Sequence, residues 1–170
     1  MNVLAVIDMQ NDFISGALGT PEAQAIVPRV RARIAQARAA GDTVVFTLDT
    51  HTEDYLSTQE GRKLPVPHCI QGTPGWQLEA TLDAADSPVF KKPGFGSPAL
   101  IKYLASLPDL KSVVFIGLCT DICVITNVMM LKGALPEVSI TVDSACCAGV
   151  TPQSHEIALN AMRTCQISIL

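Results

Sequence analysis

The chain has 170 residues, of which 48% are hydrophobic and 16% are charged, and its formal net charge at pH 7 is -4. This length suits one domain that buries its own core, and the apolar composition favours a sheet covered on both faces or an interface between subunits. The acidic balance argues against nucleic-acid binding, because such proteins need a broad basic surface, and it favours a small partner with little charge.

Six short apolar runs rich in β-branched residues alternate with stretches of helical spacing along the chain. The predicted strands cover residues 3–7, 43–48, 88–91, 112–117, 138–142 and 167–170. The predicted helices cover residues 21–40, 97–107, 121–132 and 151–163, and two of them begin at a Thr-Pro pair. This alternation predicts right-handed crossovers and therefore one Rossmann-like domain, residues 1–170, with a doubly wound three-layer α/β/α architecture and a mainly parallel six-stranded sheet.

The sequence has no recognisable targeting or membrane-spanning segment. Its first residues lack a basic stretch and a cleavage site, and no apolar run reaches about 18 residues. We therefore expect a cytoplasmic protein that does not contact membranes, and the apolar composition favours a homodimer or larger homo-oligomer. Most of the six cysteines are expected to be free thiols, since they are spread through predicted strands and helices: Cys69, Cys119, Cys123, Cys146, Cys147 and Cys165.

Reactive side chains follow three of the predicted strands. Asp8 directly follows the first strand, Lys92 directly follows the third, and Cys123 lies in the first turn of the helix after the fourth. The carboxyl ends of parallel strands share one edge, so an acid, an ammonium group and a thiol are expected to converge there. A thiol beside a cation and at a helix start is a good nucleophile at neutral pH, and Asp8 is placed to exchange its proton. Asp12 is the competing carboxylate, although its position suits bracing of the following turn.

The segment from residue 49 to 75 is rich in Thr, Pro, Gly, His and acidic residues and follows neither the strand nor the helix period. Long loops of this kind in compact domains are commonly functional. The segment contains Asp49, His51, Glu60 and His68, which are suitable ligands for zinc, iron or manganese. Asp49 and His51 project to the same side if the backbone is extended. The alternative is that both histidines only form hydrogen bonds within a loop.

Three motifs in this sequence resemble those of the isochorismatase-like cysteine hydrolases. Residues 8–13 are similar to the family's D-x-Q-x-D-F stretch, and residues 117–124 are similar to its nucleophile turn, G-[VL]-x-T-D-x-C-V. Residues 91–97 resemble the lysine loop K-x-x-[FY]-S-x-F, with Gly96 inserted before Ser97. In that loop Lys92 is a better match than Lys91.

The resemblance implies a role for each matching residue. Asp8 would be the base, Lys92 the cation and Cys123 the nucleophile that forms a thioester with the substrate. The family also has a cis peptide before the nucleophile turn, which maps onto Leu118-Cys119. The backbone N–H groups of Cys119 and Cys123 would then form the oxyanion hole.

The resemblance extends to the nicotinamidase branch, which holds a divalent metal. The Asp49-Thr50-His51 stretch matches its D-x-H pair, and His68 matches the histidine before a G-T-x-G stretch. Glu60 is the implied third ligand in the loop, with Glu53 and Asp54 as alternatives. Zinc is the expected metal, with iron or manganese as alternatives, and in this branch it binds the pyridine nitrogen and orients the ring.

One departure from the branch concerns the aromatic residue that many nicotinamidases place before the metal-binding histidine. Residues 64–67 are Leu-Pro-Val-Pro, so Phe13 and Phe95 are predicted as pocket walls instead, with Tyr55 and Trp76 as alternatives. The predicted function is hydrolysis of nicotinamide, or a related carboxamide, to the acid and ammonia. The alternatives are an amide or ureido hydrolase for carbamoyl-sarcosine-like substrates, and a non-catalytic binding subunit on the same scaffold.

Overall fold

The computed structural model describes residues 1–170 and has a six-stranded parallel sheet at its centre. The strands stand in the order β3-β2-β1-β4-β5-β6, and each neighbouring pair is parallel. The prediction of a doubly wound α/β fold with a parallel six-stranded sheet is therefore confirmed. The strands are β1 (Asn2–Ile7), β2 (Thr43–Asp49), β3 (Val89–Lys92), β4 (Ser112–Leu118), β5 (Ser139–Ala148) and β6 (Ser168–Ile169).

Six α-helices connect the strands or flank the sheet, and most of the longer ones begin where the sequence predicts. Side-chain oxygens of Thr20, Ser97 and Thr151 accept hydrogen bonds from the first turns of α2, α4 and α6, which satisfies N–H groups that the helix leaves free. None of the helices is both long and apolar enough to cross a membrane. The helices are α1 (Asn11–Ile14), α2 (Pro21–Ala39), α3 (Gln59–Lys63), α4 (Pro98–Ser106), α5 (Ile125–Ala134) and α6 (Pro152–Thr164).

The core lies on both faces of the sheet, because side chains alternate along each strand. In β1, Val3, Ala5 and Ile7 face a cluster that includes residues of α4, α5 and α6. Leu4 and Val6 face a second cluster that includes α2. Each fully buried aliphatic side chain contributes about 1.5–3 kcal/mol of transfer free energy, so the two clusters hold the three layers together.

From β1 the chain adds β2 and β3 on one side of the sheet, and then β4, β5 and β6 on the other side. The topological switch point therefore lies between β1 and β4, in the middle of the sheet. In open α/β sheets, ligands bind at such a point, beyond the carboxyl ends of the strands. Gly117 allows β4 to approach β1 closely here: its φ is 117°, and a Cβ atom would lie 2.1 Å from the carbonyl oxygen of Ile7.

Two local features differ from the sequence prediction. The predicted helix over residues 121–132 begins instead with a π-helical turn, Thr120–Val124, which leads into α5. The excursion after β2 is not devoid of periodic structure, because it holds a 3₁₀ turn, Tyr55–Ser57, and the short helix α3. Both features lie at the candidate site, where polar side chains interrupt the apolar patterns used for prediction.

Candidate active site and metal centre

The Lys92 ammonium lies at the centre of a buried group of reactive side chains. Its Nζ atom is 2.6 Å from Asp8 Oδ2, 3.3 Å from Cys123 Sγ and 3.2 Å from Asp49 Oδ1. It also donates a hydrogen bond of 3.0 Å to the carbonyl oxygen of Gly94. The structure therefore brings together the acid, the ammonium group and the thiol that the sequence places at three strand ends.

The backbone turns sharply at Asp8, where φ is 47° at the end of β1. Thr47, on the neighbouring strand β2, donates a hydrogen bond of 2.6 Å from its hydroxyl to Asp8 Oδ1. The other carboxylate oxygen, Oδ2, forms the ion pair with Lys92 but no hydrogen bond of regular geometry. That oxygen therefore has lone-pair capacity left to receive a proton.

Burial and neighbouring charges decide the protonation of this group. Burial raises the pKa of the Asp8 carboxyl above its ordinary value, although Lys92 opposes the change. Burial alone would lower the pKa of Lys92, but Asp8, Cys123 and Asp49 outweigh it and raise that pKa. Burial and then the Asp8 charge raise the pKa of the Cys123 thiol well above its ordinary value. The activating effect of Lys92 on the thiol, expected from the sequence, is thus present but outweighed, so the resting thiol keeps its proton.

The turn that carries Cys123 begins at a cis peptide between Leu118 and Cys119, as the family resemblance implies. The carbonyl oxygen of Cys119 accepts hydrogen bonds of 3.1 Å from the N–H groups of Ile122 and Val124. These bonds close the π-helical turn and place Cys123 at the wall of a cavity, with 4% of the residue exposed.

Asn127 joins the nucleophile turn to the lysine loop, and it is fully buried. Its Oδ1 accepts a hydrogen bond of 2.9 Å from the Ser97 N–H. Its Nδ2 donates to the carbonyl oxygens of Phe95 at 3.1 Å and Cys123 at 2.8 Å. One side chain thus holds the segment after Lys92 against the helix that carries Cys123.

Four side chains beside this group form a cluster suited to a cation: Asp49, His51, Glu60 and His68. One ligand atom from each lies within 4.8 Å of all the others. His51 Nε2 is 3.0 Å from Asp49 Oδ2 and 3.6 Å from Glu60 Oε1, and His68 Nε2 is 3.5 and 3.7 Å from the same two atoms. Two imidazoles and two carboxylates at these distances can hold a divalent metal such as zinc, iron or manganese.

The tautomer of His68 is consistent with a role in this cluster. His68 Nδ1 lies 2.8 Å from the carbonyl oxygen of Val66, which can only accept, so Nδ1 carries the proton and Nε2 faces the cluster. Burial lowers the pKa of His68, but its hydrogen bonds to Asp49 and Val66 and the charges of Asp49 and Glu60 together outweigh burial, so the pKa is raised. The cluster therefore attracts positive charge, whether a proton or a metal ion.

The structure also decides among the alternatives for these roles. Asp12 accepts a hydrogen bond of 2.8 Å from the Cys69 N–H, so it braces the loop that carries His68 instead of meeting the thiol. Lys91 is exposed, and its Nζ lies 5.0 Å from the centre of the Trp76 ring. Glu53 and Asp54, the alternative third ligands, are exposed and lie outside the cluster.

A cavity of about 700 Å³ opens onto both the thiol and the cation cluster. Phe13 and Phe95, the predicted pocket walls, both line it, whereas Tyr55 and Trp76 do not. Tyr55 packs instead behind the cluster, with its ring centre 4.7 Å from that of His51. The cavity thus presents a nucleophile, a cation site and aromatic surface to one ligand.

Comparison with known proteins identifies the family. The isochorismatase domain family matches residues 2–170. The chain belongs to the isochorismatase family. It is 28% identical over 190 residues to the nicotinamidase/pyrazinamidase of Mycobacterium tuberculosis, covering 100% of this chain and 98% of that protein. The structure of the pyrazinamidase of Pyrococcus horikoshii in complex with zinc aligns with a TM-score of 0.86 and 29% identity, over 99% of this chain and 98% of that one.

The fold is shared by family members with other substrates. The N-carbamoylsarcosine amidase of Thermoplasma acidophilum aligns with a TM-score of 0.81 and 26% identity, over 99% of this chain and 94% of that one. The predicted family is thus confirmed, and the predicted enzyme class, a hydrolase of amide C–N bonds, is the class to which the named nicotinamidases belong.

Sequence reasoning missed three buried polar residues of this isochorismatase-family site. Gln10 accepts a hydrogen bond of 2.7 Å from the Asp49 N–H and donates one of 2.9 Å to the Asp49 carbonyl, which fixes the end of β2. Thr47 and Asn127 hold Asp8 and the nucleophile turn, as described above. For Thr47 and Asn127 the sequence offered one signal, a polar residue within an apolar strand or helix, since a buried polar side chain needs hydrogen-bond partners.

Proposed function

We propose that this isochorismatase-family protein is a nicotinamidase-like amide hydrolase, which converts a heteroaromatic carboxamide to the acid and ammonia. The observation that carries the proposal is that the Lys92-centred group and the cation cluster open onto one cavity. A ring nitrogen and a carboxamide on one small ring match this pairing of a cation site with a nucleophile.

The proposed reaction begins with proton transfer from Cys123 to Asp8, whose raised pKa suits it to accept and return a proton. The sulfur attacks the amide carbon, and the resulting oxyanion accepts hydrogen bonds from the backbone N–H groups of Cys119 and Cys123. Asp8 returns the proton to nitrogen, the C–N bond breaks, and ammonia leaves a thioester. A water that gives a proton to Asp8 then attacks the thioester. The C–S bond breaks, Asp8 returns its proton to the sulfur of Cys123, and the carboxylic acid leaves.

In these steps Lys92 keeps its positive charge, because Asp8, Cys123 and Asp49 raise its pKa. It stabilises the Asp8 carboxylate before the attack and the thiolate during it. Lys92 Nζ lies 2.6 Å from Asp8 Oδ2 and 3.3 Å from Cys123 Sγ, so the ammonium group is beside both partners of the proton transfer. The thiol therefore ionises only as it attacks. The negative charge moves from the Asp8 carboxylate to the Cys123 sulfur, and both groups lie beside Lys92.

The cluster of Asp49, His51, Glu60 and His68 would hold the divalent metal, and its nitrogen and oxygen donors suit zinc. When bound, such an ion supplies a Lewis-acid contact that orients a ring nitrogen. Carbamoyl-sarcosine-like substrates have no ring nitrogen to meet such a cluster, which favours the nicotinamidase assignment over that alternative. A non-catalytic binding role leaves the buried ion pairs around Cys123 without a purpose.

Ammonia release from nicotinamide by the purified protein tests this proposal, together with elemental analysis for zinc, iron and manganese. Cys123→Ala is expected to abolish turnover while metal content and thermal unfolding remain unchanged. The matched control is Cys165→Ala, since Cys165 is a free thiol at the end of α6, away from the cavity. Turnover by the Cys123→Ala variant at the wild-type rate contradicts the assignment of the nucleophile.

The chemical intermediate has its own test. Rapid quenching of the wild-type enzyme with substrate is expected to trap an adduct on Cys123 whose mass equals the acyl group. Absence of this adduct in the wild-type protein, with full turnover, argues for direct attack by water instead of a thioester.

A further inference from the structure

The cavity above Cys123 is much larger than the substrate that the chemistry requires. Its volume is about 700 Å³, within the roughly 300–1,000 Å³ typical of pockets for drug-sized ligands. Nicotinamide has only nine non-hydrogen atoms. In the proposed function its carboxamide meets the Cys123 thiol and its ring nitrogen meets the cation cluster. Most of the cavity therefore lies beyond the space that an unsubstituted ring would fill.

The remaining walls of the cavity are predominantly apolar. They include Leu18 and Ala23, from the segment around the start of α2, and Leu64, Ile122 and Val150. No carboxylate outside the cation cluster lines the cavity, and the one cation among its walls is Lys63. The other polar side chains of these walls are Thr20, Thr58 and Gln59, but most of the lining surface is apolar, so an apolar extension of a substrate would be removed from water there.

Three of the apolar side chains that line the cavity are also exposed to solvent. Phe95, Val150 and Leu64 line the cavity and have exposed fractions of 48%, 50% and 38%. Because these side chains line the same cavity as Cys123, a ligand that extends outward from the ring could cover them. Their exposure is explained if the natural substrate is longer than a single ring.

We propose that the preferred substrate is a heteroaromatic carboxamide with an apolar substituent on its ring, seated in an apolar subsite lined by Leu18, Leu64 and Val150. This inference rests on the proposed function. On a pyridine-3-carboxamide, carbon 5 is the one ring carbon adjacent to neither the ring nitrogen nor the carbon that bears the amide. A substituent there clears both the cation cluster and Cys123, and the apolar part of the cavity receives it.

The test compares kcat/KM for ammonia release from 5-propylnicotinamide and from nicotinamide, with the metal-loaded wild-type protein. The ratio of the two values is expected to exceed one, by roughly fourfold for each methylene group that becomes buried. Leu64→Trp fills part of the subsite and is expected to lower this ratio at least fivefold. Leu56→Trp is the matched control, since Leu56 is 52% exposed and does not line the cavity, and it is expected to leave the ratio unchanged.

The outcomes separate the two proposals. If nicotinamide is hydrolysed and the wild-type ratio is one or less, the substituent subsite is refuted while the proposed function stands. If neither amide releases ammonia, the proposed function fails and the subsite with it. A wild-type ratio above one that Leu64→Trp leaves unchanged refutes the location of the subsite. The wild-type ratio is decisive even if the tryptophan variant does not fold.

Discussion

Asn127→Leu is expected to lower both the stability of the protein and its turnover. The substitution removes three buried hydrogen bonds, of 2.9, 3.1 and 2.8 Å. The Ser97 N–H is left buried without this partner, at a cost of about 1–3 kcal/mol, and two carbonyl groups each lose about 0.5–1.5 kcal/mol. The leucine side chain offsets part of this loss by burying apolar surface, so the free energy of unfolding should fall by about 2–4 kcal/mol.

The effect on turnover follows from the two segments that Asn127 connects. One segment carries Lys92 and the other carries Cys123, and Lys92 Nζ lies 3.3 Å from Cys123 Sγ. A displacement of about 1 Å between reacting groups can cost roughly 100-fold in rate. We therefore expect kcat to fall by roughly 10- to 100-fold with a smaller change in KM, because Asn127 forms no hydrogen bond to the cation cluster.

Urea unfolding and ammonia release measure the two effects. The matched control is Asn160→Leu, since Asn160 is exposed on α6 and its side chain only accepts a hydrogen bond from Arg163 of the same helix. That control should change the free energy of unfolding by less than about 0.5 kcal/mol. The rate and pH dependence of Cys123 alkylation separates a positioning role from general destabilisation. An Asn127→Leu variant with wild-type stability and with kcat within twofold of wild type refutes the reasoning.

Two further predictions concern the base and the cation cluster. Thr47→Val removes the hydrogen bond that stabilises the Asp8 carboxylate, so the pKa of Asp8 should rise further. Since the carboxylate is the active base and activity is lost as pH falls through its pKa, the acidic limb of the kcat/KM profile should move to higher pH. Thr47→Ser should restore the wild-type limb, and an unmoved limb in the valine variant contradicts the role of Asp8. Glu60→Gln should lower the bound zinc per chain and its affinity at least tenfold, measured by elemental analysis and chelator competition. Glu53→Gln should bind zinc as the wild type does, and equal losses in both variants contradict the ligand assignment.

Much of the fold follows from local patterns in the sequence. The six apolar runs lie within a few residues of the six observed strands, because strand burial on both faces leaves a continuous apolar signature. The long helix predicted over residues 21–40 is observed as Pro21–Ala39, with Thr20 as its cap and Gly41 at a φ of 77° just beyond its end. The strand ends share one edge in any parallel sheet, and this topological fact made the meeting of Asp8, Lys92 and Cys123 predictable.

Other features of the site depend on contacts between residues distant in sequence. The short helix α3 places Glu60, and not Glu53, beside the two histidines, and no local pattern distinguishes the two acids. Asp12 lies in the same motif as Asp8, yet its hydrogen bond to the Cys69 N–H joins residues 57 positions apart. The role of Asn127 likewise depends on partners in a loop about 30 residues away.

The sequence by itself determined the family and the parallel sheet, and it predicted which side chains meet at the strand ends, since these depend on short motifs, short-range periodicity and residue types at strand ends. The tertiary structure alone decided the protonation of those groups and the volume of the cavity above them. The physical reason is that a pKa depends on burial and on charges from every element that packs nearby. In this protein these surroundings keep the Cys123 thiol neutral beside a permanently charged Lys92.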